Sequence, residues 1–220
     1  MKISFPMLDE PFEFEQSEIL VIEDTKAFAS LIKWINLYSE QSKLKIFNSN
    51  FSDLKNSELI VITDVFSFDV NSAAMIKLIY ADLEYQLNEK PEVKSLIDKL
   101  TSTITELIDY ELLEHELDLE DDEVTIIELF KALGIKIEVQ SDTVFERLIE
   151  ILQVYKYLVK KKLLVLINTC SYFTLEEMNQ IIEYIQLNNL DVLFIEPREV
   201  CGMSQFILDN DYFLFHKDNL

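Results

Sequence analysis

Between Glu106 and Glu128 the chain carries eleven carboxylates and not one Lys or Arg. The densest part is Glu114, Glu116, Asp118, Glu120, Asp121, Asp122 and Glu123. On a helix, 114/118 and 118/122 would be like-charged i,i+4 neighbours, each destabilising by about a few tenths of a kcal/mol. Water and salt offset that repulsion on an exposed loop; a hard cation with oxygen ligands offsets it better. Calcium accepts roughly six to eight oxygens at adaptable geometry, so it suits a crowded carboxylate loop more than magnesium does. The run is not an EF-hand, because a loop begun at Asp118 puts Glu123 where the glycine belongs and Leu129 where the bidentate glutamate belongs. The residues alone leave two readings, a calcium-binding segment and a solvated acidic turn.

The bases are sparser. Lys160, Lys161 and Lys162 form the only basic run, and Lys131 and Lys136 flank Gly134. Three lysines in one place are ordinarily a solvated helix end. One copy could not hold a nucleic-acid duplex. Repeated around a symmetric oligomer, the same lysines could line one surface while the acids face elsewhere.

Residues for covalent or acid–base catalysis are scarce. The two histidines, His115 and His216, fall in no triad pattern and read as surface residues. Cys170 and Cys201 form no C-x-x-C and no Cys/His cluster, so zinc is not expected and both read as reduced thiols. A P-loop needs glycines whose backbone N–H groups cradle phosphate. After the first buried strand the chain instead reads Glu23, Asp24, Thr25, Lys26, and its only glycines are Gly134 and Gly202. Asp64 ends a hydrophobic strand as a magnesium-holding aspartate would, without a loop to work with. The protein is therefore not expected to be an enzyme. A metal-dependent nuclease built from carboxylates alone stays open as an alternative.

Behind these sites stands a chain of 220 residues, 49% hydrophobic, with 41 acids against 19 bases and a formal charge of −22. That length and composition supply a real core. The charge opposes nonspecific binding to nucleic acid and to anionic membranes. It favours divalent cations or basic partners, and an acidic DNA-mimic inhibitor is a further alternative on charge alone. The opening MKISFPMLDEPFEFEQ has no basic start followed by an apolar stretch, so no secretory signal is expected. Apolar runs such as Leu163–Ile167 are too short to span a bilayer. A cytoplasmic protein without membrane contact is expected.

The elements that must position these residues are legible in outline. Glu18–Asp24, Glu58–Asp64, Leu163–Asn168 and Asp191–Glu196 read as buried strands, Lys43–Phe47 as an alternating one and Asp211–Phe215 as a last edge strand. Thr25 caps a helix, and Thr174 caps another running to about Leu187. Apolar residues at helical spacing run from Met75 to Leu87, and from Val93 to Leu112 behind Pro91. Val124–Leu133 ends at Gly134, a strand or extended link follows over Ile135–Val139, and Asp142 caps a further helix. The expected fold is α/β. A head of residues 1–65 and 155–220, with a mainly parallel sheet like a P-loop-type domain without phosphate motifs, carries an inserted all-helical leg over 66–154.

Ten blocks of sequence point further: LDEP (8–11), FDVNS (68–72), NEKPEVKS (88–95), TITEL (103–107), ELDLE (116–120), QSDT (140–143), EILQ (150–153), KYL-x-KKKLL (156–164), LEEM-to-LFIEPRE (175–199) and ILDNDYFL (207–214). Together they resemble, over essentially the whole chain, the small non-catalytic adaptation protein of type II-A CRISPR systems. The resemblance implies a ring-shaped homotetramer that binds double-stranded DNA ends in a calcium-dependent manner. It also implies a role in spacer acquisition beside the integrase complex and the RNA-guided effector nuclease. Carried over onto the ELDLE block and the residues just after it, the resemblance implies calcium ligands among Glu116, Asp118, Glu120, Asp122, Glu123 and Glu128. The lysine run matches too, which keeps Lys131, Lys136 and Lys160–Lys162 as the DNA-binding candidates.

Overall fold

The computed structural model describes residues 1–39, 41–48, 50–139, 141–158 and 161–218. Two compact units emerge, one of Met1–Phe68 with Gln140–Leu220 and one of Asp69–Val139.

In the first unit, β1 (Lys2–Ser4) pairs antiparallel with β2 (Phe12–Glu13) and with β4 (Lys45–Phe47) in a small three-stranded sheet. Between them in sequence run β3 (Ser17–Ile22) and α1 (Thr25–Asn36). Asp24, and not Thr25, caps α1, its Oδ1 accepting from the Ala27 N–H at 2.7 Å. The larger sheet adds β5 (Leu59–Ile62), β6 (Leu163–Ile167), β7 (Val192–Glu196), β8 (Gln205–Leu208) and β9 (Leu214–Lys217), in the order β5-β6-β7-β3-β8-β9. Its first five strands are parallel and β9 turns back antiparallel on β8. Every residue of β6 and β7 is buried, as strands covered on both faces require.

One face of this sheet carries Leu20, Ile22, Val165, Ile167, Leu193 and Ile195, packed with Leu31 and Ile35 of α1 and with the small sheet through Ile3, Phe12 and Ile46. The alternate strand residues point the other way. Two helices with buried stripes complete the unit: α5 (Val144–Tyr157), burying Leu148, Ile151, Leu152 and Tyr155, and α6 (Leu175–Leu187), burying Met178, Ile181 and Ile185. Both begin with a capping box, Thr143 (one residue after the expected Asp142) with Glu146 and Thr174 with Glu177.

The second unit holds α2 (Ala73–Asn88), α3 (Pro91–Leu113) and α4 (Ile126–Ala132). Tyr80 of α2 is buried against the Phe130 ring of α4, and its hydroxyl donates to the Ile135 carbonyl at 3.0 Å. The Asn71 amide exchanges two hydrogen bonds with the Ile137 backbone, at 2.8 and 2.9 Å.

The α/β class and the mainly parallel sheet are as expected. Several details differ. Of the two forms open to residues 135–139, the link and not the strand is found, because Asn71 and Tyr80 already hold backbone groups of this segment. The alternating Lys43–Phe47 stretch joins the small sheet and not the large one. The last edge strand is Leu214–Lys217 rather than 211–215, since Asp209 Oδ1 accepts from the Asp211 and Phe213 N–H groups and ties those residues into a turn. The compact units divide at 68/69 and 139/140, where the sequence suggested 65/66 and 154/155, and α5 lies with the sheet.

Candidate functional sites

After α3 the chain loses regular structure until α4, and within that stretch Glu116, Asp118, Glu120, Asp122 and Glu123 are all exposed. Glu128 does something else. It is the third residue of the α4 capping box, accepting from the Thr125 hydroxyl at 2.7 Å and the Thr125 N–H at 2.8 Å, and these bonds hold its carboxyl below the ordinary value. Closer approach occurs between Asp109 of α3 and Asp121. Desolvation first, then the neighbouring Asp121 and Glu106 charges, raises the Asp109 carboxyl above its ordinary value. Among the described residues no three His, Cys, Asp or Glu side chains assemble into a group that could hold a metal ion. The acidic run of a single chain therefore does not form a calcium cage in this arrangement.

The lysines divide. Lys131 lies in the last turn of α4, where a positive charge suits the helix dipole, and it and Lys136 are exposed. Lys160 is outside the described residues. The helix ends at Tyr157, so the lysine run follows α5 and does not close it. Lys161 turns its ammonium onto the Leu59 carbonyl at 3.0 Å, and burial lowers its pKa. Lys162 donates its backbone N–H to the Glu58 carbonyl at 2.7 Å and sets its ammonium 3.8 Å from the Glu58 carboxylate.

The carboxyl ends of β3, β6 and β7 open on a cavity of about 1300 Å³. Ligands of parallel sheets commonly bind there. Asp24, where a phosphate loop would stand, is instead the α1 cap, and Glu23 lines the cavity. Glu196, at the end of β7 and 3% exposed, fills the equivalent place after β6. Its Oε1 accepts from the backbone N–H groups of Thr169 at 2.7 Å and Cys170 at 2.9 Å. Backbone donors that could meet a phosphate are thus already occupied by a carboxylate of the chain itself. Asp64 holds a turn: its Oδ1 accepts from the Phe66 N–H at 2.9 Å and the Ser67 N–H at 3.3 Å, and bonds to Ser67 and Phe66 hold its carboxyl low.

The β8–β9 hairpin makes a constellation that the sequence spacing hides. Ser204 Oγ lies 3.0 Å from His216 Nε2, and His216 Nδ1 lies 3.1 Å from Asp218 Oδ1. A catalytic triad buries its aspartate to hold the imidazole charge; the Asp218 side chain is 84% exposed and His216 is 37% exposed. The line reads as a hydrogen-bonded surface edge. His115 uses its Nδ1 to accept from the Leu117 N–H at 3.1 Å.

An exposed apolar stripe runs along α3. Leu100, Ile104 and Leu107 are 56%, 57% and 63% exposed, and Val93 and Leu96 extend the same stripe. The half-buried side of the helix carries Lys94, Ile97, Thr101, Thr105, Asp109 and Leu112. A single chain thus leaves the apolar stripe from Val93 to Leu107 open to water, while Ile97 and Leu112 share the half-buried side with Thr101 and Thr105.

Residues 37–212 of the 220 match the family described as CRISPR-associated protein (Cas_Csn2). The chain belongs to the Csn2 family. A CRISPR-associated protein Csn2 of Enterococcus faecalis is 55% identical over 217 residues, covering 99% of both chains. One of Streptococcus agalactiae is 52% identical over 214 residues, covering 97% of both. The family that the ten sequence blocks resemble is the family that is matched. Among the described residues of this Csn2-family chain, no helix is long and apolar enough to cross a membrane.

Proposed function

We propose that this chain is a non-catalytic, cytoplasmic DNA-end-binding protein. It assembles as a calcium-stabilised homotetrameric ring and supports CRISPR spacer acquisition beside the integrase complex and the RNA-guided effector nuclease. The observation that carries the reading is the exposed apolar stripe Val93, Leu96, Leu100, Ile104 and Leu107 on α3. An apolar stripe of that length on a 23-residue helix is a surface made to be covered, and symmetry lets a second copy cover it. Assembly also answers the charge problem, because a chain of −22 must pool its few lysines to hold phosphate. Lys131, Lys136 and Lys160 are the lysines we assign to DNA, with Lys161 and Lys162 contributing less because Leu59 and Glu58 engage them.

The calcium component keeps Glu116, Asp118, Glu120, Asp122 and Glu123 as ligand candidates. It requires the segment after α3 to draw together carboxylates that lie apart here, or a second copy to supply oxygens. Glu128 is the weakest candidate, since its carboxylate caps α4.

A gel-shift series with linear and closed-circular duplex, in calcium or in chelator, tests the reading. Retention of linear DNA only, dependent on calcium and without strand loss, is expected. Cutting would favour a metal-dependent nuclease, and no retention at any salt would favour an acidic DNA mimic.

A further inference from the structure

The cavity at the ends of β3, β6 and β7 has a chemistry of its own, independent of DNA binding. Its volume of about 1300 Å³ far exceeds what a bare ion needs. Glu23, Glu196 and Glu199 stand in its lining against one guanidinium, that of Arg198. Glu199 is already paired with Lys217 at the rim. Glu196 is the deep one. Its donors are the Thr169 and Cys170 N–H groups and the Cys170 thiol, all neutral, and among the described residues no Lys, Arg or His pairs with it. No described basic side chain pairs with this buried carboxylate, so a cation entering the cavity would meet an acceptor whose charge is not yet compensated. Phe28, Phe173, Met178 and Met203 supply apolar wall.

The site is also firmly built. Gln205 is 2% exposed; its Oε1 accepts from the Val200 N–H at 2.8 Å, and its Nε2 donates to the Val200 and Met203 carbonyls at 2.8 and 3.1 Å. These bonds fix the loop that walls the cavity after β7. Gly202 makes the loop's left-handed turn at φ +77°, where a Cβ would come within 3.0 Å of Leu175, another lining residue. An anion is the wrong occupant, because Glu196 holds the N–H groups that would receive it.

We propose that this cavity binds an alkylammonium or guanidinium group, with Glu196 as its counter-charge and the Phe28, Phe173, Met178 and Met203 walls around its hydrocarbon stem. Lysine and arginine side chains bury their stems on apolar surface in this way, and a free polyamine offers the same chemistry. The two sources are separable by experiment.

The test uses methyl-labelled methionine NMR on the full chain. The protein has five methionines, of which Met178 and Met203 line the cavity while Met1, Met7 and Met75 do not. Pentylamine, spermidine and doubly blocked lysine and arginine peptides are titrated, with pentanol as the neutral counterpart of pentylamine. Saturable shifts at Met178 and Met203 with the cations, and none with pentanol, are expected. Tighter binding of a peptide assigns the source to a partner protein, and tighter binding of spermidine assigns it to a polyamine. Glu196→Gln keeps an oxygen for the two N–H donors, removes the charge and should weaken binding by about tenfold or more. Should that variant not fold, the pentylamine–pentanol comparison on the native chain decides alone. Equal response to pentanol, shifts spread over all five methionines, or a Glu196→Gln variant that binds as before would overturn the proposal.

Discussion

Lys161 Nζ donates to the Leu59 carbonyl oxygen at 3.0 Å, linking the segment that leads into β6 to the first residue of β5 across 102 positions of sequence. A lysine spent on a backbone acceptor is a clasp between neighbouring strands, and its loss should register in stability before it registers in DNA affinity. Lys161→Ala is expected to lower the unfolding free energy by about 1 kcal/mol, and Lys131→Ala and Lys136→Ala to leave it within about 0.5 kcal/mol. Urea titrations check this. In DNA binding the order reverses: Lys131→Ala with Lys136→Ala should flatten the salt dependence by about 0.9 per lost phosphate contact, and Lys161→Ala should change it little.

Acid should first stabilise and then destabilise the fold. Burial raises the carboxyl groups of Glu18, Asp191 and Glu196, so the folded state takes up those protons sooner than the unfolded chain and gains stability as pH falls through their folded values. The capping glutamates run the other way. Hydrogen bonds from the Thr125 hydroxyl and N–H lower Glu128, those from the Asp142 and Thr143 N–H groups lower Glu146, and those from the Thr174 N–H and hydroxyl lower Glu177. Their contribution is complete above the ordinary value of 4.5 and is lost as pH falls through their folded values. Stability measured by urea unfolding is expected to peak on the acid side of neutrality and to fall below pH 4.5. Changing all three glutamates to Gln should flatten that acid limb.

Calcium should stabilise the chain by mass action, by about 2.7 kcal/mol at a hundredfold its Kd. Calorimetric melting in calcium and in chelator checks this. Asp118→Asn with Asp122→Asn should blunt the difference. A Tm that ignores calcium would leave the segment a solvated acidic turn.

The α3 stripe predicts that assembly is separable from folding. Leu100 and Ile104 are both more than half exposed in the single chain, so Leu100→Glu with Ile104→Glu should leave the circular dichroism spectrum unchanged. Each such side chain contributes about 1.5–3 kcal/mol when a partner buries it. The double variant is therefore expected to lose the tetramer by light scattering.

Ser204 is expected to be inert. Its histidine is backed by an aspartate whose charge sits in solvent, and solvent screening removes most of the help such a pair could give the imidazole. A fluorophosphonate probe should leave Ser204 unlabelled under conditions that label a serine hydrolase control; labelling abolished by His216→Ala would show otherwise.

How much of this was legible in the sequence depended on what each pattern reports. Continuous runs such as 163–168 and 191–196 reveal buried strands because both faces must be apolar. The two- and three-residue strands β2 and β1 are too short to show a period. The stripe of α5 says that a face is buried, not what buries it, so its place with the sheet was not readable. For the sites, the acidic run and the lysines are compositional and were visible at once. Their engagement was not, because the Leu59 carbonyl that holds Lys161 and the N–H groups that hold Glu196 are backbone atoms present at every position. Ser204 and His216 meet only because β8 and β9 pair.

The order of strands has a consequence for how the chain is made. Strand β3 is the first of the large sheet to leave the ribosome, yet its neighbours are β7 and β8, which lie beyond residue 191. Until the last stretch is synthesised, the Ile19–Ile22 run has both hydrogen-bonding edges open. Contacts of such long sequence separation slow folding and leave sticky intermediates. Nascent chains truncated before Val192 should aggregate or recruit chaperones, and the inserted helical unit, whose contacts are local, is the part able to form while the sheet waits.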